Sequence, residues 1–342
     1  MNTISILLAI FLLPFQYFLL PAASFFKKVP PSQVEGASIQ KKEIVSSPKE
    51  DSLRDSLEEA FSTKDENYGG AGFLPQRKEN FREAKIFATS SVVIDVDTGT
   101  VLHYDNGRKK TPIASLTKMM TAIIVIEKLK NLDEPVTIDK EALMAEGTKV
   151  GCPRSGYCID ERLHEGEKIT AKDLLMAMLL NSANDAAIAL GKHIAGSQKE
   201  FAKLMNEKAK ELNLGDSNFC NPSGLDEDNC YSSAYDLARI AAYSMRYDLI
   251  WKIMRMPEAQ VSSCDGKYSH LLKNTDLLLE QMPNCLGGKT GFTYNAGKSL
   301  MMAAVDPQKG KHRIVAVILN DNNRWEDMVN LISWTFDNYE WK

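Results

Sequence analysis

The hydrophobic pattern changes character along the chain. Positions 4–20 are almost continuously apolar, interrupted only by Ser5, Pro14 and Gln16. Such a run is an export signal or an N-terminal membrane anchor. Ala22-Ala23-Ser24 offers a small-x-small cleavage pattern, but no Lys or Arg precedes the apolar run and Phe25-Phe26 follow it. Residues 1–26 are assigned to this segment. Over 27–85 Lys, Glu, Ser, Pro and Gly dominate without a sustained period. That composition buries too little apolar surface to offset ordering entropy and predicts a linker.

The folded domain is expected over 86–342. Residues 91–96 and 101–104 alternate around Asp97-Thr98-Gly99-Thr100, predicting two strands joined by a turn. Over 113–130 apolar residues cover every helical face, which places that helix in the middle of the fold. Helical spacing recurs over 170–194, 198–212 and 233–247. Residues 300–305 and 313–319 predict a buried hairpin, and 325–339 a last helix. Strands at both ends of a helical middle predict an α/β (α+β) domain, a sheet covered by helices with an inserted, mainly helical lobe.

Composition narrows the function classes. The 342 residues are 44% apolar and 25% charged, enough for a sizeable core, and the net charge of -4 supplies no basic field for nucleic acid. All six cysteines lie beyond residue 150. An even number downstream of an export signal predicts disulfides. Cys152 with Cys158 and Cys220 with Cys230 are close in sequence within turn-rich stretches, leaving Cys264 with Cys285 by elimination. No CxxC or HExxH is present, and no metal or other cofactor is expected.

Three short motifs carry chemistry. In Ala114-Ser115-Leu116-Thr117-Lys118 a serine and a lysine stand one helical turn apart at the start of the buried helix. A desolvated lysine can lose its proton and act as base for the hydroxyl. In Asn181-Ser182-Ala183-Asn184 a hydroxyl and an amide interrupt the apolar pattern, where they can relay a proton and hold a carbonyl. In Gly287-Gly288-Lys289-Thr290-Gly291-Phe292 the glycines allow close backbone approach, while Lys289 and Thr290 offer a cation and a hydroxyl to an anion. The GxxxxGK spacing of a phosphate-binding loop fails here.

In this order SxxK, SxN and KTG resemble the signature of the penicillin-binding proteins and class A β-lactamases. The chain is similar to the low-molecular-weight D-alanyl-D-alanine carboxypeptidases of peptidase family S11, from about residue 88 to 336. Asn221-Pro222-Ser223-Gly224-Leu225 and Ser233-Ala234-Tyr235-Asp236-Leu237-Ala238 also look like that family. The resemblance implies a β-lactamase/transpeptidase-like fold and removal of the terminal D-Ala from peptidoglycan stem pentapeptides, with β-lactams as covalent inhibitors. It makes Ser115 the acylated nucleophile and Lys118 its base, with Ser182 and Asn184 completing the proton relay and substrate contact. Lys289 and Thr290 would hold the substrate terminus, helped by Arg324, and the backbone N–H groups of Ser115 and Phe292 would form the oxyanion hole.

Two alternatives share these motifs. A class A β-lactamase needs an ExxLN glutamate, and Glu211-Leu212-Asn213 has the wrong spacing. A sensor merely acylated by β-lactams would differ by slow deacylation. Because the chain stops at Trp341-Lys342, any membrane tether is expected at the N-terminus, and the protein outside the cytoplasm. Gly151 to Cys158 reads as an insertion in the helical lobe, and the cysteines lie outside the family motifs.

Overall fold

The computed structural model describes residues 73–154 and 156–342. The leader or anchor and the greater part of the expected linker lie outside the described residues. Strand β1 (Pro75–Arg77) is followed by β2 (Ser90–Asp95) and β3 (Val101–Asp105). A 3-10 turn, Ala114–Thr117, then runs into helix α1 (Lys118–Lys128). The inserted lobe comprises β4 (Pro135–Thr137), α2 (Lys140–Leu143), β5 (Lys168–Thr170), α3 (Ala171–Leu180), α4 (Asn184–Ala195) and α5 (Gln198–Glu211). The chain continues through α6 (Ala234–Ser244), α7 (Asp248–Arg255), β6 (Glu258–Ser262) and β7 (Ser269–Lys273). It closes with β8 (Cys285–Thr293), β9 (Gly297–Val305), β10 (Arg313–Leu319), α8 (Arg324–Asn338) and β11 (Tyr339–Trp341).

A five-stranded sheet in the order β3-β2-β10-β9-β8 forms the spine, with every pairing antiparallel. Its strands alternate between two cores. Val92, Ile94, Met301, Ala303, Val315 and Val317 face the α1 side, while Val93, Leu300, Met302, Ile314, Ala316 and Ile318 face the α8 side. Period-two alternation with both faces apolar is what a sheet covered on both sides requires. Helix α1 is buried on every side from Lys118 to Val125. Ser197 and Ser233 cap α5 and α6 by accepting from Glu200 N and Asp236 N.

Three differences from the sequence expectations bear on the site. The helical spacing over 170–194 splits at residues 181–183, because Ser182 takes a left-handed φ of 59° and ends the α3 ladder. The Lys289-Thr290-Gly291 motif, expected just before the terminal hairpin, is itself the edge strand β8. Residues 73–85, expected as linker, are tied to the domain: β1 pairs with β11, Arg82 N donates to Asn338 Oδ1 (2.8 Å), and Phe81 packs edge-on to Trp334. Isolated aromatics in a polar stretch gave too weak a period to signal this docking.

The cysteines pair as Cys152–Cys158 and Cys220–Cys230. The third expected bridge is a correction: Cys264 is an exposed thiol in the β6–β7 turn, whereas Cys285 is buried at the start of β8. Pairing by elimination fails because the β6–β7 pair and β8 belong to separate sheets, with Cys264 at the surface and Cys285 inside.

Candidate active site

The turn carrying Ser115 is clasped between β8 and the 221–225 loop. Ala114 holds a left-handed φ of 50° immediately before the serine. A Cβ on Gly291 would sit 2.9 Å from Ile113 O, and one on Gly224, whose φ is 81°, 2.0 Å from Ala114 O. Only glycine lets both backbones approach this closely.

Lys118 is fully buried, and its Nζ lies 2.9 Å from Ser115 Oγ, 2.6 Å from Asn184 Oδ1 and 2.6 Å from the Ser223 carbonyl. Burial pulls its pKa well below the ordinary lysine value, and the positive charge of Lys289 acts in the same direction. Asn184 is oriented by its own Nδ2, which donates to Glu146 O (2.7 Å). The next residue, Asp185, is buried and accepts from Val150 N (3.1 Å), and burial pushes its carboxyl up to about 6.

A second serine–lysine pair faces the first. Lys289, buried on β8, donates to Ser182 Oγ (2.8 Å) and to Thr290 O (3.1 Å). Burial, and then the charge of Arg324, draw Lys289 down to about 7, against the opposing pull of Asp276. Thr148 Oγ1 donates to Ser182 O (2.5 Å), tying the left-handed turn to the loop that follows α2. Thr290 Oγ1 is 2.7 Å from Thr275 Oγ1.

The structure therefore gathers Ser115, Lys118 and Asn184 in one cluster and Ser182, Lys289 and Thr290 in its neighbour. Phe292 is 54% exposed on the rim. Arg324 stands on the far side of β8, where Nη1 donates to Gly291 O (3.0 Å) and Ser299 O (3.2 Å). Sequence reasoning missed the Ser223 carbonyl, Thr148, Thr275 and Asp276. A backbone acceptor carries no residue-type signal, and the other three are brought in by loops.

The model of the peptidase S11 family, described as D-alanyl-D-alanine carboxypeptidase, matches residues 77–323. The chain belongs to this family. This S11 chain is 33% identical over 282 residues to the D-alanyl-D-alanine carboxypeptidase DacF of Bacillus subtilis (strain 168), covering 80% of the chain and 68% of the relative. It is 30% identical over 254 residues to the D-alanyl-D-alanine endopeptidase of Escherichia coli (strain K12), covering 74% and 78%. The solved D-alanyl-D-alanine carboxypeptidase of Mycobacterium tuberculosis H37Rv superposes with a TM-score of 0.67 at 30% identity, covering 77% of this chain and 96% of that one. The expected transpeptidase-like fold is thereby borne out.

Proposed function

We propose that this S11 peptidase removes the terminal D-Ala of peptidoglycan stem pentapeptides through an ester on Ser115. The observation that carries the reading is the buried Lys118 Nζ at 2.9 Å from Ser115 Oγ with its pKa depressed by burial. A neutral amine accepts the hydroxyl proton while Oγ attacks the carbonyl of the penultimate D-Ala. The backbone N–H groups of Ser115 and Phe292 receive the developing oxyanion. Collapse breaks the peptide bond, and the departing D-Ala amine takes its proton through Ser182. Water then hydrolyses the ester and restores Ser115.

Lys289 and Thr290 hold the terminal carboxylate, Asn184 contacts the substrate while orienting Lys118, and Arg324 adds positive charge from behind β8. An edge strand offers outward backbone groups, so an extended stem peptide can add beside β8. The family acts outside the cytoplasm, and two disulfides suit that compartment. We read the apolar segment at positions 4–20 as a leader or membrane anchor there.

Incubation with a pentapeptide ending in D-Ala-D-Ala should release free D-Ala, and penicillin should label Ser115. Ser115→Ala should show neither. A penicillin adduct persisting on that variant would move the nucleophile elsewhere. Penicillin turnover without D-Ala release would favour a β-lactamase, and a stable adduct without D-Ala release a sensor. The endopeptidase relative supports a second substrate in the same assay, a cross-linked peptide whose cleavage would extend the activity to endopeptidase.

A further inference from the structure

The base reading of Lys118 leaves open what aims its lone pair. A neutral amine carries two N–H groups and one lone pair. Two of the three neighbours of Nζ, Asn184 Oδ1 and Ser223 O, can only accept. Asn184 cannot reverse its amide, because Nδ2 is committed to Glu146 O. With both N–H groups on these acceptors, the lone pair is left for Ser115 Oγ. Were the Ser223 carbonyl to withdraw, one N–H could swing onto Ser115 and turn the lone pair away.

Ser223 lies in a loop without regular secondary structure, closed by Cys220–Cys230. Inside the loop Asn221 Oδ1 accepts from Ser223 N (3.2 Å), Ser223 Oγ (3.0 Å) and Gly224 N (2.7 Å). The Pro222 carbonyl accepts from Thr121 Oγ1 on α1 (2.7 Å), and Thr293 Oγ1 at the end of β8 donates to Asp226 Oδ1 (2.9 Å). The loop thus touches the helix of the base and the strand of the anion-binding lysine. Its outer residues, 227–229, are exposed, and they hold the loop through polar contacts, Glu227 Oε1 accepting from Asn221 Nδ2 (2.6 Å) and Asn229 O from Asn218 Nδ2 (2.7 Å). At their base the two arms are joined by the Asn218–Tyr231 bridge, with Asn218 N donating to Tyr231 O (2.8 Å) and Tyr231 N to Asn218 O (3.0 Å), and the disulfide is the covalent link between that bridge and Ser223.

We propose that Cys220–Cys230 is a positioning device for the reaction: by closing this loop it holds the Ser223 carbonyl on Lys118 and so aims the amine at Ser115. This rests on the reading of Lys118 as base. The two cysteines touch no reacting atom and act through Ser223.

The test is a Cys220→Ser/Cys230→Ser double variant, followed by benzylpenicillin acylation per active site as a function of pH. The acylation constant should fall about tenfold, the order expected when a reacting group is misplaced by a fraction of an ångström. The acid limb should move to lower pH, because the ammonium form loses an acceptor. A bridge that only stabilises would lower Tm and the active fraction while leaving the rate per site and the limb unchanged, and that result would overturn the proposal. If the double variant does not fold, Thr121→Val removes the Pro222 anchor at nearly constant volume. It should shift the same limb in the same direction, and an unshifted limb counts against the proposal. Lack of any adduct at Ser115 in the unmodified protein would instead sink the nucleophile reading.

Discussion

Lys289 Nζ lies 2.8 Å from Ser182 Oγ, so the cation of the third motif donates across the site to the serine of the second. Two charged groups act on Lys289: Arg324 from α8 disfavours its charge, and Asp276 from the segment before β8 favours it.

A substrate carboxylate needs the protonated form of Lys289, whose pKa is drawn down to about 7 chiefly by burial. The charged fraction in the free enzyme falls as pH rises through that value. kcat/KM for D-Ala release should therefore decline on the alkaline side of about 7, since this ratio reports free-enzyme ionisations. Asp276→Asn removes the supporting negative charge and should move this limb to lower pH. A profile flat through neutrality in both proteins would refute the assignment.

Lys118→Arg keeps the charge but provides a group that does not deprotonate in proteins. Loss of general-base assistance should cost about 10²- to 10⁴-fold in D-Ala release. A parallel melt separates this from the strain of a larger buried side chain. Near-normal turnover would rule out Lys118 as base.

Peptide mapping without reduction should find Cys152–Cys158 and Cys220–Cys230 joined, and Cys264 and Cys285 as thiols. In the native protein only Cys264 should react with a thiol reagent. Burial raises Cys285 out of the thiolate range, and its exposure is 2%. Each bridge should contribute about 2–4 kcal/mol. A Cys264–Cys285 linkage in the map would contradict this pairing.

Gly291→Ala tests the closeness of β8 to the nucleophile turn. Its Cβ would meet Ile113 O at 2.9 Å and Leu116 Cγ at 3.3 Å, so strand or turn must shift. Penicillin acylation should slow by about 10²-fold with a smaller loss of Tm, because the reacting geometry depends on sub-ångström placement. Unchanged acylation would show that the turn tolerates the shift.

The site was legible where residue type and spacing carry the chemistry. Ser115 and Lys118 share a helical face, and Lys118 sits in a stretch apolar enough to announce its burial. The sheet was legible from alternation in β2, β9 and β10. What could not be read lies in chain reversals. The polar interruption at 181–184 marks a break in the apolar pattern, but the left-handed φ of Ser182 cannot be read from it, because residue type does not fix a single backbone angle. Glycine-rich β8 has too few side chains to show a strand pattern, although its hydrogen-bonded backbone places Lys289 and Thr290. The Ser223 carbonyl reaches Lys118 through loop geometry alone.

The connection between residues 161–167, just before β5, and β7 carries a titratable clasp. His270 is fully buried, with Nδ1 3.0 Å from Glu161 O and Nε2 2.8 Å from Glu167 Oε1. A carbonyl and a carboxylate only accept, so both ring nitrogens must carry protons and the ring is an imidazolium. Burial alone would lower its pKa, but the bonds to Glu167 and the Glu161 carbonyl, with the charges of Glu167 and Asp160, outweigh it and hold the pKa above the ordinary value. Glu167 also accepts from His164 N (2.9 Å). The folded state thus binds this proton more tightly than the unfolded chain. The resulting stability is fully present below the unfolded pKa of about 6.5 and is lost as pH rises through the higher folded value. Tm should therefore fall as pH rises from about 6.5 through the higher folded value. His270→Gln breaks a buried pair and should cost about 3–5 kcal/mol at pH 6, shrinking as pH rises because the unmodified protein loses its own clasp. The measurement is Tm against pH for both proteins. Parallel curves would show that another group carries the alkaline loss.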